Sequence, residues 1–377
     1  MFRTGDRTVE LSIELEHACL ISRGHQKTFM NTNRVVWLDN LRAIGIFLVV
    51  WAHHDSEIPP YLLRYIYSFH MPLFFLASGY VFRPQRYQSP KDFVRRKLRT
   101  LILPYVAFSF VTYGFWLAKS LLRDWSNLSV HEVLKTLSSI GIASNGLIFM
   151  SHNAALWFLP CLFVVELEFF LLHRMLARKR SGALVAILSL ASCSVIGWSL
   201  RRAGISLPWG VDVSLTVLFF YAAGYHFKQQ IDWADQTLRW MHVVALTAIL
   251  TATSIAGAFR NGFVNLAFNR MSDPLLFYPT ALLATFGYIL LSQMIPANSL
   301  MNSLGKNTLV IFALHLPLET ALNATLRFVL NGHQLGILEA PAVWSLVVSV
   351  FQISLLAPIV YAIKRWVPSV LGRTAPR

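Results

Sequence analysis

Apolar runs of about 20 residues recur along nearly the whole chain and constrain its fold more than any other feature. A run of that length is what an α-helix needs to cross the hydrocarbon core of a bilayer. Only 14% of the 377 residues are charged, whereas soluble domains carry about 25%. We therefore predict an all-α fold, a polytopic integral membrane helical bundle with about ten transmembrane helices. The predicted spans are 36–54, 61–82, 98–118, 154–175, 182–200, 211–228, 239–258, 275–295, 304–325 and 342–363.

Two regions have weaker patterns than the rest. One is the fifth span, 182–200. The apolar stretch 136–150 contains small and polar residues between Gly141 and Gly146, so we expect a re-entrant or surface segment there instead of a full span.

The distribution of basic residues predicts the orientation of the chain. If the N-terminus is cytoplasmic, 23 of the 33 lysines and arginines fall on the inner side and nine on the outer side, with Arg42 inside the first helix. Cytoplasmic loops of membrane proteins carry this excess, so both termini are predicted to be cytoplasmic. Topology and contact with anionic lipid account for most of the net charge of +15, and we expect no nucleic-acid partner.

The chain divides into one membrane domain and two short tails. We predict a cytoplasmic N-terminal tail over 1–33, a membrane domain over 34–368 and a cytoplasmic C-terminal tail over 369–377. Met30 is an alternative translation start, so the preceding residues are expected to be dispensable. The three cysteines follow no metal-ligand spacing, and no metal is expected.

Arg42 and His53 lie eleven residues apart in the first predicted span, LDNLRAIGIFLVVWAHH. At about 100° per residue, eleven steps return to within about 20° of the same helix face, and the two side chains are separated by roughly 16 Å along the axis. Charged side chains inside a membrane helix are costly and mark function by default. Arg42 can bind phosphate, pair with Asp39 or extend to the interface. His53 can act as a general base or cap the helix end.

Other polar residues of the first two spans are weaker candidates. His54 is turned about 120° away from Arg42, and Glu57 follows it outside the span. His70, in FHMPLFFLASGYVF, is more typical of a buried hydrogen-bond partner than of a catalyst. Ser78 in the same segment precedes a glycine, and such small pairs usually serve helix packing. We retain these four residues as substrate-binding or supporting candidates.

Basic residues precede the third span in RRKLRTLILPY. Arg96 and Arg99 are three positions apart and share a helix face. Next to Arg42 they would form a site for a phosphate ligand. A basic cluster that only determines topology would look identical in sequence.

Later spans also carry buried polar residues. Glu166 and Glu168 in the fourth span point about 200° apart, so they cannot form one paired site and each is expected to bond to a neighbouring helix. His315, at the end of LGKNTLVIFALH, is expected to make a hydrogen bond that packs helices together, and is kept as a supporting residue.

Taken together, five segments resemble the membrane acyltransferase-3 family of bacterial O-acyltransferases, in the family's order and over about residues 34–330. The segments are LDNLRAIGIFLVVWAHH, FHMPLFFLASGYVF, RRKLRTLILPY, LWFLPCLF and LGKNTLVIFALH. The family's motif of Arg, ten residues and His falls on Arg42 and His53, and its Arg-x-x-Arg motif falls on Arg96 and Arg99. FHMPLFFLASGY is similar to the fucose 4-O-acetylase-like subgroup, which includes rhizobial nodulation O-acetyltransferases.

The resemblance implies an enzyme of the bacterial inner membrane that moves an acetyl group from cytoplasmic acetyl-CoA to a sugar hydroxyl of a glycan or glycolipid. Arg96, Arg99 and Arg42 would hold the donor's phosphates. His53 would act as general base or through an acetyl-histidine relay. Two other functions stay open. A transporter or flippase for an envelope glycan or lipid-linked sugar would often show inverted repeats, which the sequence lacks, and a non-catalytic scaffold would not need His53.

Overall fold

The computed structural model describes residues 35–54, 58–124, 128–176, 182–228, 230–232, 240–329 and 341–372. Regular structure in these residues is helical apart from an isolated antiparallel bridge between Asn265 and Arg270. The α-helices are α1 (Val36–Ala52), α2 (Pro60–Val81), α3 (Pro90–Lys97), α4 (Leu103–Asp124), α5 (Val130–Ile142), α6 (Phe158–Leu176), α7 (Gly182–Arg202), α8 (Val211–His226), α9 (Trp240–Asn261), α10 (Pro274–Met294), α11 (Ser299–Val329) and α12 (Pro341–Trp366). The predicted all-α fold class is confirmed.

Capping residues in the sequence determine where several helices begin. Ser129 caps α5, where its hydroxyl oxygen accepts a hydrogen bond from the backbone N–H of Glu132 at 3.1 Å. Asp273 caps α10 and accepts a hydrogen bond from the backbone N–H of Leu275 at 2.8 Å. These side chains satisfy N–H groups that have no partner within the first helical turn. Pro274 follows as the first residue of α10, a position where its missing N–H costs nothing.

Six helical segments of the described chain are long and apolar enough to cross a membrane, and they coincide with six of the ten predicted spans. These segments are Pro90–Arg123, Ala154–Leu176, Trp240–Asn261, Pro274–Met294, Ser299–Thr325 and Pro341–Trp366. The chain is thus a helical membrane protein.

The other four predicted spans are also helices, namely α1, α2, α7 and α8. α1 and α8 contain 17 and 16 residues, fewer than the roughly 20 of a typical spanning helix. Most residues of α1 and α2 are buried by other helices, and helices shielded from lipid in this way can carry polar side chains. The number of ten membrane crossings stays a prediction.

The stretch 136–150 contains no full span, as the sequence predicts. α5 has 13 residues and is therefore about 20 Å long, which is shorter than the roughly 30 Å hydrocarbon core of a bilayer. The helix ends at Ile142, and the next residue, Ala143, adopts a left-handed conformation with φ 51°. Turns and bends then continue to Asn153.

Two glycines bring α2 and α8 into backbone contact. A side chain at Gly79 would collide with the backbone of Tyr221, and one at Gly224 would collide with the backbone of Leu76. Small residues allow this close approach between membrane helices. The helix-packing role that the sequence predicts for the Ser78-Gly79 pair is therefore confirmed for Gly79.

The two glutamates of α6 bind to different neighbours, as predicted. Glu166 forms an ion pair with Lys97 at the end of α3, with 2.7 Å between Oε2 and Nζ. Glu168 accepts a hydrogen bond from Ser214 Oγ of α8 at 2.8 Å. Of the cysteines, Cys161 and Cys193 are free thiols, and Cys19 lies outside the described residues.

Candidate functional site

Two cavities lie along α1, one at His53 and one at Arg42. The His53 chamber has a volume of about 190 Å³ and is lined by Val49, His53, Tyr67, His70, Met71, Asn145, Ala154, Ala155, Trp157, Asn265, Leu266, Ala267, Phe268 and Phe312. The Arg42 chamber has a volume of about 240 Å³ and is lined by Arg42, Phe74, Ser78, Leu101, Phe158, Leu159, Leu162, Gly305, Lys306, Thr308, Leu309 and Phe312.

The imidazole of His53 has a defined tautomer. His53 follows the last residue of α1 and is half-buried. Its Nδ1 lies 2.7 Å from the backbone carbonyl oxygen of Val49, one turn earlier in the helix. Because a carbonyl oxygen only accepts hydrogen bonds, Nδ1 must carry the proton, and Nε2 therefore carries the lone pair of the neutral ring. Such a ring nitrogen can accept a proton or attack a carbonyl carbon.

His70 and His315 are anchored in the same way. His70 Nδ1 donates to the Ile66 carbonyl at 2.8 Å, and the ring lines the His53 chamber. His315 Nδ1 donates to the Phe312 carbonyl at 2.7 Å. The expected hydrogen bond between His315 and another helix is made by its backbone carbonyl, which accepts from the Gln352 side chain of α12, whereas its ring nitrogen satisfies a carbonyl of its own helix. His70 is, as predicted, a buried hydrogen-bond partner, and it also reaches the cavity.

The ring of His315 packs against His53. Their ring centroids are 4.7 Å apart, with the planes at 71° in an edge-to-face arrangement. Nε2 of His315 is buried and has no hydrogen-bond partner among the described residues. The His315 ring, whose Nε2 can accept a hydrogen bond, therefore contacts the His53 ring that faces the chamber.

His54 lies outside the lining of both chambers. Its ring instead contacts two other helices. Its Nε2 donates to the side-chain oxygen of Gln352 in α12 at 3.1 Å, and its Nδ1 lies 3.9 Å from a carboxylate oxygen of Glu319 in α11. The Gln352 amide in turn donates to the backbone carbonyl of His315 at 2.6 Å. Gln352 was missed by the sequence reasoning, although a lone amide in the apolar run VSVFQISLL was a usable signal.

The Arg42 chamber brings together two cations from distant parts of the sequence. Arg42 and Ser78 were candidates from the sequence, and Lys306 of α11 joins them in the lining. Gly305 allows this because its Cα lies so close to the backbone of Asp39 that a side chain would collide with it. A guanidinium and an ammonium in a largely apolar cavity suit a phosphate or another anion. Lys306 was overlooked inside the LGKNT sequence, where only His315 was considered.

Arg96 and Arg99 are not among the residues that line the Arg42 chamber. Both are exposed, and Arg96 Nε forms an ion pair with Asp92 at 2.8 Å. The helix changes to a π-helical turn over Leu98–Ile102, so the regular α-helical spacing assumed for these two arginines does not hold there. Leu101, two residues after Arg99, does reach the chamber.

Residues from two loops complete the wall of the His53 chamber. Asn145 follows α5, and Asn265 lies between α9 and α10. The Asn145 amide is itself held by the backbone, since it donates to the Ala154 carbonyl at 2.8 Å and accepts from the Met150 N–H at 3.0 Å. No periodic pattern marks either asparagine in the sequence. Glu57, the remaining candidate, lies outside the described residues.

The fold and the two chambers define a multi-pass membrane protein with a candidate site between its helices. A family model described as an acyltransferase domain matches residues 35–363. The chain belongs to this membrane acyltransferase-3 family, and it is an acyltransferase. The transporter alternative is not favoured by this membership. No curated protein and no solved structure matches the chain.

Proposed function

We propose that the chain is an integral membrane O-acetyltransferase that moves an acetyl group from cytoplasmic acetyl-CoA to a sugar hydroxyl of a glycan or glycolipid. The observation that carries this proposal is the pair of chambers along α1, with cations in one and a histidine of fixed tautomer in the other. In this proposal the Arg42 chamber is the donor side, facing the cytoplasm with both termini, and the membrane is the bacterial inner membrane.

Donor binding is assigned to Arg42 and Lys306. Their charges attract the phosphate end of the pantetheine arm, and Arg42 can bind a phosphate with two parallel hydrogen bonds. Arg96 and Arg99 are assigned to phosphates that stay outside the chamber, because both are exposed and Arg99 is two residues from Leu101 in the lining. The roughly 16 Å rise from Arg42 to His53 is comparable to the reach of the arm.

His53 Nε2 is the proposed general base. It takes the proton of the sugar hydroxyl as the hydroxyl oxygen attacks the acetyl carbonyl carbon. The carbon–sulfur bond then breaks, and the protonated imidazole returns its proton to the CoA thiolate. In the relay alternative, Nε2 first attacks the thioester carbonyl carbon, the carbon–sulfur bond breaks, and CoA leaves as the thiolate to give acetyl-histidine. The sugar hydroxyl oxygen then attacks the acetyl carbon, the bond from that carbon to Nε2 breaks to restore the neutral imidazole, and the thiolate takes up the hydroxyl proton. His315 supports either route by packing on the His53 ring.

The His53 chamber is the proposed acceptor site. Tyr67 and Trp157 provide aromatic walls and Asn265 an amide, a combination of apolar surface and fixed polar groups typical of small-molecule sites. The similarity of FHMPLFFLASGY to fucose 4-O-acetylases makes a fucose residue of a Nod factor or of a surface polysaccharide the first acceptor to test.

The deciding experiment uses the full chain in membrane vesicles, with isotope-labelled acetyl-CoA and a panel of fucosylated glycans, and detects acetylated products by mass spectrometry. We expect transfer by the wild type and none by His53→Ala. His242→Ala is the matched control, because His242 is exposed on α9 and lines neither chamber. Full activity of His53→Ala would refute the role of His53, and an acetyl-protein adduct that disappears in this variant would favour the relay.

A further inference from the structure

The two chambers follow one another along the same face of α2. Tyr67 and His70 line the His53 chamber, whereas Phe74 and Ser78 line the Arg42 chamber. These positions are spaced by three or four residues, so they form one continuous stripe on the helix. The two cavities are therefore consecutive sections along one helix and not unrelated pockets.

The same succession occurs where α6 begins and along α11. Trp157 lines the His53 chamber and its neighbour Phe158 lines the Arg42 chamber. On α11, Thr308 lines only the Arg42 chamber, whereas Phe312, one turn later, lines both. The boundary between the chambers therefore lies at the level of Phe158 and Phe312.

Phe158 and Phe312 form an aromatic partition at this boundary. Their ring centroids are 5.4 Å apart, with the planes at 64° in an edge-to-face arrangement. Both side chains are buried, with exposures of 8% and 5%. Phe74 supports the partition by packing against Phe158 at 6.2 Å. An acyl group that moves from the cations of one chamber to the histidine of the other has to pass these rings.

We propose that Phe312, together with Phe158, forms the passage through which the acyl end of the donor reaches His53, and that the size of these side chains determines which acyl chains are transferred. This inference rests on the proposed function. The acyl group is the leading end of the donor, so it meets the rings first. One methylene in an apolar pocket changes selectivity by about 10- to 200-fold, so a small change in width has a measurable effect.

The test compares acetyl-, propionyl- and butyryl-CoA as donors for the full chain in membrane vesicles. Phe312→Leu and Phe158→Leu widen the passage, and we expect each to raise the ratio of butyryl to acetyl transfer by about tenfold or more. Phe312→Trp narrows it and should lower kcat for acetyl transfer by about tenfold. Phe163→Leu is the matched control, since Phe163 is equally buried in α6 and lines neither chamber.

The outcomes separate the two proposals. If the wild type transfers acetyl groups but the acyl preference is the same in all variants, the proposed selectivity of the passage is refuted and the proposed function stands. A general loss of transfer that Phe163→Leu shares would also reject the passage, because it would indicate impaired packing. If the wild type transfers no acyl group from any of the three donors, the proposed function fails and this inference fails with it.

Discussion

Substituting Gly305 by alanine should separate α11 from α1 and thereby weaken both the fold and the donor site. An alanine Cβ at this position would collide with the carbonyl oxygen of Asp39 and would lie 2.8 Å from its Cα and carbonyl carbon, whereas ordinary contact begins at 3.4 Å. The helices must therefore part by more than about 0.6 Å, the difference between these two distances, because the carbonyl oxygen lies closer than the carbon atoms. Asp39 cannot yield easily, because the next residue, Asn40, donates hydrogen bonds to the carbonyls of Ser292 and Ile295 at 3.1 and 2.8 Å.

Two opposing terms determine the size of the effect. Forcing a methyl group into a close-packed contact costs about 1–3 kcal/mol, and replacing glycine by alanine inside a helix returns up to about 1 kcal/mol. We expect a net loss of about 1–2 kcal/mol in the free energy of unfolding for Gly305→Ala. Gly114→Ala is the control, because Gly114 lies within α4 and a Cβ there would meet no atom within 4 Å. The same chemical change should stabilise the protein at this position.

The assay is thermal unfolding of the two variants and the wild type in the same detergent, followed by the KM for acetyl-CoA in vesicles. Gly305→Ala should unfold at a lower temperature and show a raised KM, since Lys306 follows Gly305 and faces the same chamber as Arg42. Gly114→Ala should unfold at an equal or higher temperature with the KM unchanged. If Gly305→Ala were as stable as Gly114→Ala and bound the donor normally, the close contact between α1 and α11 would not control the site.

Four further predictions concern charge and hydrogen bonding. Lys306→Met should raise the KM for acetyl-CoA by about tenfold with little change in kcat, because it removes one charge-assisted contact to phosphate; steady-state kinetics test this. Lys97→Met should lower stability by about 3–5 kcal/mol by leaving Glu166 buried without its cation, and adding Glu166→Gln should restore most of the loss in thermal unfolding. Gln352→Leu should cost about 1–3 kcal/mol of stability and reduce kcat more than it changes KM, since the amide joins His54 to the His315 backbone. Burial lowers the pKa of His152 to about 4, below the usual value near 6.5, so stability should fall as pH drops from about 6.5 to about 4 and less so in His152→Gln.

The helices could be predicted from the sequence because hydrophobic length is a local property. Each of the ten predicted spans is helical, and the segment after α5 forms turns as its glycines and polar residues indicate. The π-helical turn over Leu98–Ile102 was not predictable in this way. It changes hydrogen bonding without changing the apolar pattern, so the three-residue spacing of Arg96 and Arg99 suggested a shared face on a helix that is not regular there.

The site was predictable only where its residues share a helix. Arg42 and His53 are both on α1 or at its end, and helical geometry alone puts them on one stripe. Lys306, Gln352 and Phe312 come from helices more than 200 residues away in the sequence, and their positions depend on how the helices pack. The close contact at Gly305 and the hydrogen bonds of Gln352 contribute to that packing. A single sequence does not show which residues of different helices lie close together.

The hydrogen bonds also explain why adjacent histidines have different assignments. In an apolar interior, each ring nitrogen that carries a proton needs an acceptor. His53 satisfies this need with the carbonyl of Val49 in its own helix, which leaves the Nε2 lone pair on a ring that faces the chamber. His54 donates its Nε2 proton to Gln352 on another helix, so the corresponding atom serves to hold α1 and α12 together. Exchanging the two roles would require α12 to present its amide to the chamber. We therefore expect His54→Gln, whose amide keeps an N–H donor at this position, to retain far more acetyl transfer than His53→Gln, and equal loss in both would contradict this assignment.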